Sequence, residues 1–314
     1  MITHTATIDG RRIHYAVGGA PRAARTLLLF NGIGANVETM APFIARFAKT
    51  RVVVFDMPGV GESPAPWLPY RLADVACLAA RLLDHLGVGD ADVLGVSWGG
   101  AAAQEFAIRH PQRCRTLTLA ATCAGFVMVP GSAGVWLKML SPRRCLDPAW
   151  LLHAGGQLCG GALQVNQDLL HLHAQAQRAP SGLGYLYQLL AIWGWTSWLR
   201  LDRVQAPALV LMGDDDPIVP PVNGRIVASR LRQATLETVP CGHLFVLTRP
   251  GQTARRVERF LASHPRARTI LGRPHAGEPR EDLRHRSAAP EVDEARQGPD
   301  RAGHRRTGAA ASGA

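Results

Sequence analysis

The chain has 314 residues, 47% of them hydrophobic, which is enough to bury a sizeable core, and it carries a formal charge of +11 at pH 7. No apolar run reaches the roughly 18 residues that a membrane-spanning helix needs, and the opening MITHTATIDGRRIHYAV has no apolar h-region, so neither an integral membrane protein nor a signal peptide is expected. Residues 265–314 hold ten arginines against seven acids, the only lysines are Lys49 and Lys138, and neither zinc spacing nor an RNA-binding aromatic signature accompanies the charge, so nucleic acid is not the expected partner.

In chain order, ATIDGRRIHYAV reads as a hairpin turning at Asp9-Gly10. TLLLFNG (26–32) is a continuous apolar strand of the kind buried on both faces of a parallel sheet. A helix is predicted over about 37–49, a strand over 51–59, a helix over 71–87 that stops at Gly87, and a strand over 91–97. WGGAAAQEFAIRH (98–110) is a helix halted by Pro111, and TLTLAAT (116–122) is a strand. The alternation resumes with a strand at 208–214, a helix at about 221–232, a strand at 235–240 and a last helix at about 250–263. Strands alternating with helices predict a doubly wound α/β sheet.

Between these runs, 125–200 breaks the rhythm and holds five of the seven tryptophans, including Trp136, Trp193 and Trp195. It reads as a helical cap over the carboxyl edge of the sheet, where ligands of open α/β sheets bind. Its aromatics either fill the cap's own core or line a substrate pocket, and Trp136, Trp193 and Trp195 are the candidates for the second role. The expected organisation is therefore a core of 1–124 and 201–262, a cap of 125–200 and a tail of 263–314. The tail is rich in Arg, Pro, Gly and Ala and is expected to be disordered, because it cannot bury enough apolar surface to offset its ordering entropy. Six scattered cysteines without CxxC spacing fit reduced thiols and a cytoplasmic location better than a disulfide framework.

The stretch GVSWGGA (95–101) places Ser97 at a predicted strand–turn–helix junction. This G-x-S-x-G pattern is the nucleophile elbow of α/β-hydrolases. The serine is held in a strained conformation, the flanking glycines avoid clashes in the tight turn, and the following helix aims free N–H groups at developing negative charge. A serine nucleophile needs a base, and the base needs an orienting carboxylate, in the chain order Ser, acid, His. Of the histidines beyond Ser97, His243 in PCGHLF lies in a loop directly after a predicted sheet strand. Three aspartates in GDDDPIVP compete for the acid: the usual spacing selects Asp216, with Asp214 and Asp215 as substitutes. The oxyanion donors are expected to be the backbone N–H groups of Trp98 and Ile33, the latter within the loop FNGIGAN. Asp56, in FDMPGVGES, is expected to tie down its own loop rather than to act in catalysis. His171 and His173 form an HxH pair without an obvious third ligand, so no metal site is expected, and no cofactor is required.

The segments FNGIGAN, FDMPGVGES, GVSWGGA, VMVPG, SPRR, LGYLYQL, GWTS, GDDDP and GHLF occur in this order. Together they resemble the intracellular medium-chain-length polyhydroxyalkanoate depolymerases, members of the α/β-hydrolase superfamily, from about residue 6 to residue 262. The resemblance implies an eight-stranded, mostly parallel sheet flanked by helices and capped. It implies a triad of Ser97, Asp216 and His243 acting through an acyl-enzyme. The implied partner is the surface of a polyester storage granule inside the cell, and the implied products are 3-hydroxyalkanoic acids. A small-molecule carboxylesterase or lipase, or a carbon–carbon bond hydrolase of the same fold, is the alternative, and a non-catalytic granule-binding protein is disfavoured by the intact triad residues. Serine at the elbow argues against a dehalogenase or an epoxide hydrolase, which use aspartate there.

Overall fold

The computed structural model describes residues 1–141, 150–161, 167–176, 178 and 181–265. The chain divides into two units, Met1–Ala267 and Arg268–Ala314. The second unit, and with it nearly all of the tail expected to be disordered, lies outside the described residues.

Eight strands form one sheet: β1 (Ile2–Ile8), β2 (Arg11–Gly19), β3 (Thr26–Phe30), β4 (Arg51–Phe55), β5 (Ala91–Val96), β6 (Cys114–Ala120), β7 (Ala208–Gly213) and β8 (Ala234–Val239). Their spatial order is β1-β2-β4-β3-β5-β6-β7-β8. β1 and β2 form the expected hairpin, and β2 also runs antiparallel to β4; every later pairing is parallel. Asp9 and Gly10 both take positive φ at the hairpin turn, the conformation a tight two-residue connection requires.

The apolar strands divide their side chains by the period of two. Leu28, Phe30, Val53, Phe55 and Val93 join one buried cluster. Leu27, Leu29, Val52, Val54, Leu94 and Val96 join the other. The first cluster packs against α2 (Leu72–His85) and α3 (Trp98–Arg109), and the second against α1 (Ala41–Ile44), α9 (Phe245–Thr248) and α10 (Pro250–Ser263). Between β6 and β7 the chain forms α4 (Ala133–Leu140), α5 (Trp150–Cys159), α6 (Gln167–Ala176) and α7 (Gly182–Ile192); α8 (Val222–Arg230) lies between β7 and β8.

The helix predicted over 37–49 is shorter and divided. A 3-10 turn, Val37–Met40, leads into α1, which carries Pro42 in its first turn. Proline lacks the N–H that a continuous helix would donate across this point. The strand predicted over 51–59 ends at Phe55, because Asp56 folds the chain back: its carboxylate accepts from the N–H of Val37 (2.8 Å) and of Glu62 (2.9 Å) and meets His14 Nδ1 at 2.8 Å. Burial is the largest influence on Asp56 and pushes its pKa up, against those hydrogen bonds.

After β3 the chain crosses to β4 on one side, and after β4 it returns to β5 on the other. This is a topological switch point, where loops leaving the carboxyl ends of two adjacent strands diverge and leave a crevice. The loop after β3 contains Ile33, and the turn after β5 contains Ser97.

Candidate active site

Ser97 occupies the turn between β5 and α3 with φ 54° and ψ −118°. A non-glycine residue in this region is strained, and the neighbours hold it there. Its N–H donates to Ala120 O at 2.8 Å, and its carbonyl accepts from Gly100 N and from Thr122 Oγ1, both at 2.8 Å. The glycines answer to steric demand. A Cβ on Gly95 would lie 2.3 Å from Gly99 O, one on Gly99 would lie 2.2 Å from Phe30 O, and one on Gly100 would lie 2.4 Å from Thr122 Oγ1. The elbow therefore sits pressed onto the end of β3, which brings the Ile33 loop beside the serine.

His243 Nε2 stands 2.9 Å from Ser97 Oγ, and His243 Nδ1 stands 2.7 Å from Asp216 Oδ2. The other Asp216 oxygen accepts from the N–H of Ile218 and of Val219, each at 2.9 Å. Two backbone donors thus fix the carboxylate while its free edge faces the imidazole. The neighbouring aspartates are committed elsewhere: Asp214 Oδ1 accepts from Cys241 N and Asp215 Oδ2 from Gly161 N, both at 2.9 Å. The His243 loop is held from the helical side, where its N–H donates to Cys159 O at 2.7 Å. Gly242 permits this approach, since a Cβ there would lie 2.2 Å from the same carbonyl.

Two cavities meet at Ser97. One, of about 60 Å³, is lined by His243, Leu244, Leu247, Leu158 and Met40 among others. The second, of about 90 Å³, is lined by Ile33, Trp98, Met128, Trp136, Leu189 and Ile192 among others. Trp98, the residue after Ser97, opens α3, where backbone N–H groups lack intrahelical acceptors. Gly32, just before Ile33, brings its backbone to where a Cβ would be 3.9 Å from Ser97 Cβ. Ile33 and Trp98 thus flank the serine from two elements, as two oxyanion donors must. Cys123 also lines the second cavity, but burial pushes its thiol pKa up to about 11, so it is no competing nucleophile.

The three proposed pocket tryptophans part company. Trp136 lines the second cavity with Ser97. Trp193 and Trp195 do not; they line a separate surface depression with Glu105, Arg109 and Arg200, and this corrects the expectation. Trp193 follows the last turn of α7 and is 84% exposed, while the Trp195 indole donates to Glu105 Oε2 at 3.0 Å. Gln188 was not anticipated. It is fully buried on α7, its Oε1 accepts from Gly34 N at 2.8 Å, and its carbonyl accepts from the Trp98 indole at 2.9 Å. A glutamine inside the apolar run YLYQLLAI was the available signal.

A mostly parallel sheet, a strained serine at a strand–helix turn and a histidine–carboxylate pair beside it define an α/β-hydrolase, and the family model described as alpha/beta hydrolase fold matches residues 25–152. A hydrolase from Pseudomonas aeruginosa PA01 superimposes with a TM-score of 0.72 at 25% identity, covering 82% of this chain and 97% of that one. The chain is 43% identical over 277 residues to the poly(3-hydroxyalkanoate) depolymerase of Ectopseudomonas oleovorans, covering 88% of this chain and 98% of that protein, and it belongs to that family of hydrolases. A 3-oxoadipate enol-lactonase of Acinetobacter baylyi is similar at 28% identity, over 82% of this chain and 96% of that protein. No helix among the described residues is long and apolar enough to cross a membrane.

Proposed function

We propose that the chain hydrolyses medium-chain-length poly(3-hydroxyalkanoate) to 3-hydroxyalkanoic acids or oligomers through an acyl-enzyme on Ser97. The observation that carries this reading is the relay Ser97 Oγ–His243 Nε2 (2.9 Å) and His243 Nδ1–Asp216 Oδ2 (2.7 Å), set between two largely apolar cavities. His243 takes the serine proton as Oγ attacks the ester carbonyl, and Asp216 orients the imidazole and balances its charge. The N–H groups of Ile33 and Trp98 bind the oxyanion, the alcohol leaves with the proton from His243, and water repeats the sequence to release the acid.

The proton path assigns the cavities. His243 must reach the leaving oxygen, so the alcohol side of the ester occupies the cavity that His243 lines. The acyl chain then occupies the cavity between α4 and α7, where each buried methylene contributes about 0.8 kcal/mol.

The outer face of α7 supports docking on an insoluble polyester. Leu183, Leu186 and Leu190, with Trp193 just beyond the helix, recur at helical spacing on one side and are all exposed. A stripe of this kind fits the hydrophobic surface of a storage granule inside the cell. The test is release of 3-hydroxy acids from a medium-chain polyester latex, together with fluorophosphonate labelling that disappears in Ser97→Ala. Turnover of short p-nitrophenyl esters with no action on the latex would leave a small-molecule esterase in its place.

A further inference from the structure

Resting on the function proposed above, we propose that Trp67 and Leu68 form a second anchor on the neutral polyester surface. Their loop, the α7 stripe and the outer face of α4 make one nearly uncharged platform beside the entrance to the Ser97 cavity.

The loop after β4 carries the run SPAPWLPY (63–70). Pro64, Pro66 and Pro69 each fix a backbone φ, so the run presents its side chains with little backbone freedom left to lose. Trp67 is 96% exposed and Leu68 75%. A lone exposed leucine is ordinary, but an indole standing wholly in solvent on a stiffened loop is not. The loop rests against α7: the Tyr187 hydroxyl donates to Trp67 O at 3.3 Å, and the Tyr187 ring meets that of Tyr70 edge-on.

Tyr187 comes four residues after Leu183 and three before Leu190, so it leaves α7 along one flank of the exposed leucine stripe. The other flank leads to the nucleophile. Leu189, three residues after Leu186, lines the Ser97 cavity. Leu140 on α4 lines it too and is half-exposed, so the cavity wall continues to the protein surface there. Leu137, one turn earlier on α4, is exposed beside it. The Tyr185 hydroxyl donates to Met139 O at 2.8 Å and joins α7 to α4 at this point. Trp67 and Leu68, the α7 stripe, and the Leu137–Leu140 face thus follow one another across the surface, and the way to Ser97 lies between the last two.

Charge selects the occupant. Charged residues make up 19% of the chain, yet none occurs in 63–70 or 181–199, and Lys138 is the only one in 126–140. An anionic lipid surface or an acidic protein calls for lysines and arginines at the contact. An aliphatic polyester carries no charge and is matched by hydrocarbon and by the flat, amphipathic indole. The position of the entrance points the same way: a chain reaches Ser97 from an insoluble phase when the face beside the entrance rests on that phase.

The test is co-sedimentation of the full chain with medium-chain polyester latex, comparing the wild type with the double variant Trp67→Ser, Leu68→Ser. The variant should bind latex about tenfold or more weakly, since two large apolar side chains no longer leave water on docking. Wild-type binding should persist in about 1 M NaCl, where charge contacts are screened. Neither residue lines a cavity at Ser97, so kcat/KM on soluble p-nitrophenyl octanoate should stay within about twofold of the wild type. Unchanged latex affinity in the variant overturns the assignment, as does a matching loss on the soluble ester or release of the wild type from latex by salt. Tighter wild-type binding to phosphatidylglycerol vesicles than to latex, or a wild-type dimer that the variant converts to monomer, assigns the face to lipid or to a second copy and also overturns it. If the wild type hydrolyses p-nitrophenyl octanoate but releases no 3-hydroxy acid from latex, the underlying function fails and takes this proposal with it. If latex turnover is intact and the variant binds latex as the wild type does, the Trp67 anchor alone fails.

Discussion

Gln188 Oε1 accepts a hydrogen bond from Gly34 N at 2.8 Å across 154 residues of sequence. Gly34 holds a positive φ in the loop that presents Ile33, and the Gln188 carbonyl also receives the Trp98 indole. One residue on α7 therefore ties together both elements assigned to the oxyanion hole. Gln188→Leu should lower kcat about tenfold or more while leaving KM near its wild-type value, because small displacements of catalytic groups cost rate before they cost binding. Steady-state kinetics on a soluble ester checks this; a change confined to KM would place Gln188 in substrate binding instead.

The three aspartates after β7 should separate by kinetics. Asp216→Asn should reduce kcat about 10⁴-fold, since an asparagine facing His243 Nδ1 favours the wrong imidazole tautomer. Asp215→Asn should leave kcat almost unchanged, because that side chain holds Gly161 N and faces no reacting group. Asp214→Asn should act on thermal stability through its contact with Cys241 N. Equal losses of kcat in all three variants would remove the distinction.

Glu105 is buried on α3, and burial raises its pKa, yet hydrogen bonds from Arg200, Trp195 and Arg109 hold it below the usual glutamate value. A carboxylate depressed in the folded state stabilises the fold fully above its unfolded pKa of about 4.3, and that contribution is lost as pH falls through the lower folded value. Glu105→Gln should cost about 1–2 kcal/mol at neutral pH, reduced from a fully buried pair because Arg109 and Arg200 remain partly exposed. The gap in melting temperature between variant and wild type should narrow as pH drops below about 4. Thermal melts from pH 7 to pH 3 measure it, and a constant gap would contradict the assignment.

The outer stripe of α7 should matter only for the polymer. Leu186→Glu combined with Leu190→Glu, both about half-exposed in the wild type, should abolish latex binding and slow polymer turnover several-fold. Hydrolysis of a soluble p-nitrophenyl ester should persist, because Leu189 and Ile192, not these leucines, line the acyl cavity. Co-sedimentation with latex alongside the soluble assay decides the matter.

Much of the fold could be read locally. Continuous apolar runs such as TLLLF and RVVVF belong to strands buried on both faces, and both occupy the sheet interior. The misread stretches were those where one side chain outweighs periodicity: Pro42 divides the helix after β3, and the Asp56 carboxylate ends β4 by gathering distant backbone donors. The aromatic content of 125–200 marked a region without saying which rings point inward. Trp136 and Trp193 are alike in type and lie in the same expected cap, but one closes a cavity and the other faces solvent.

The sequence by itself determined the alternating elements, the hairpin at Asp9-Gly10 and the glycine-flanked turn at Ser97, because period, turn chemistry and steric allowance belong to neighbouring residues. Spacing in the sequence already selected Asp216 as the partner of His243; only the tertiary structure decided which tryptophan reaches the serine's cavity, and that Gln188 clasps the Ile33 loop. Those outcomes depend on burial and on distances between segments far apart in the chain, and such quantities come into being only when the sheet and the helices above it pack together.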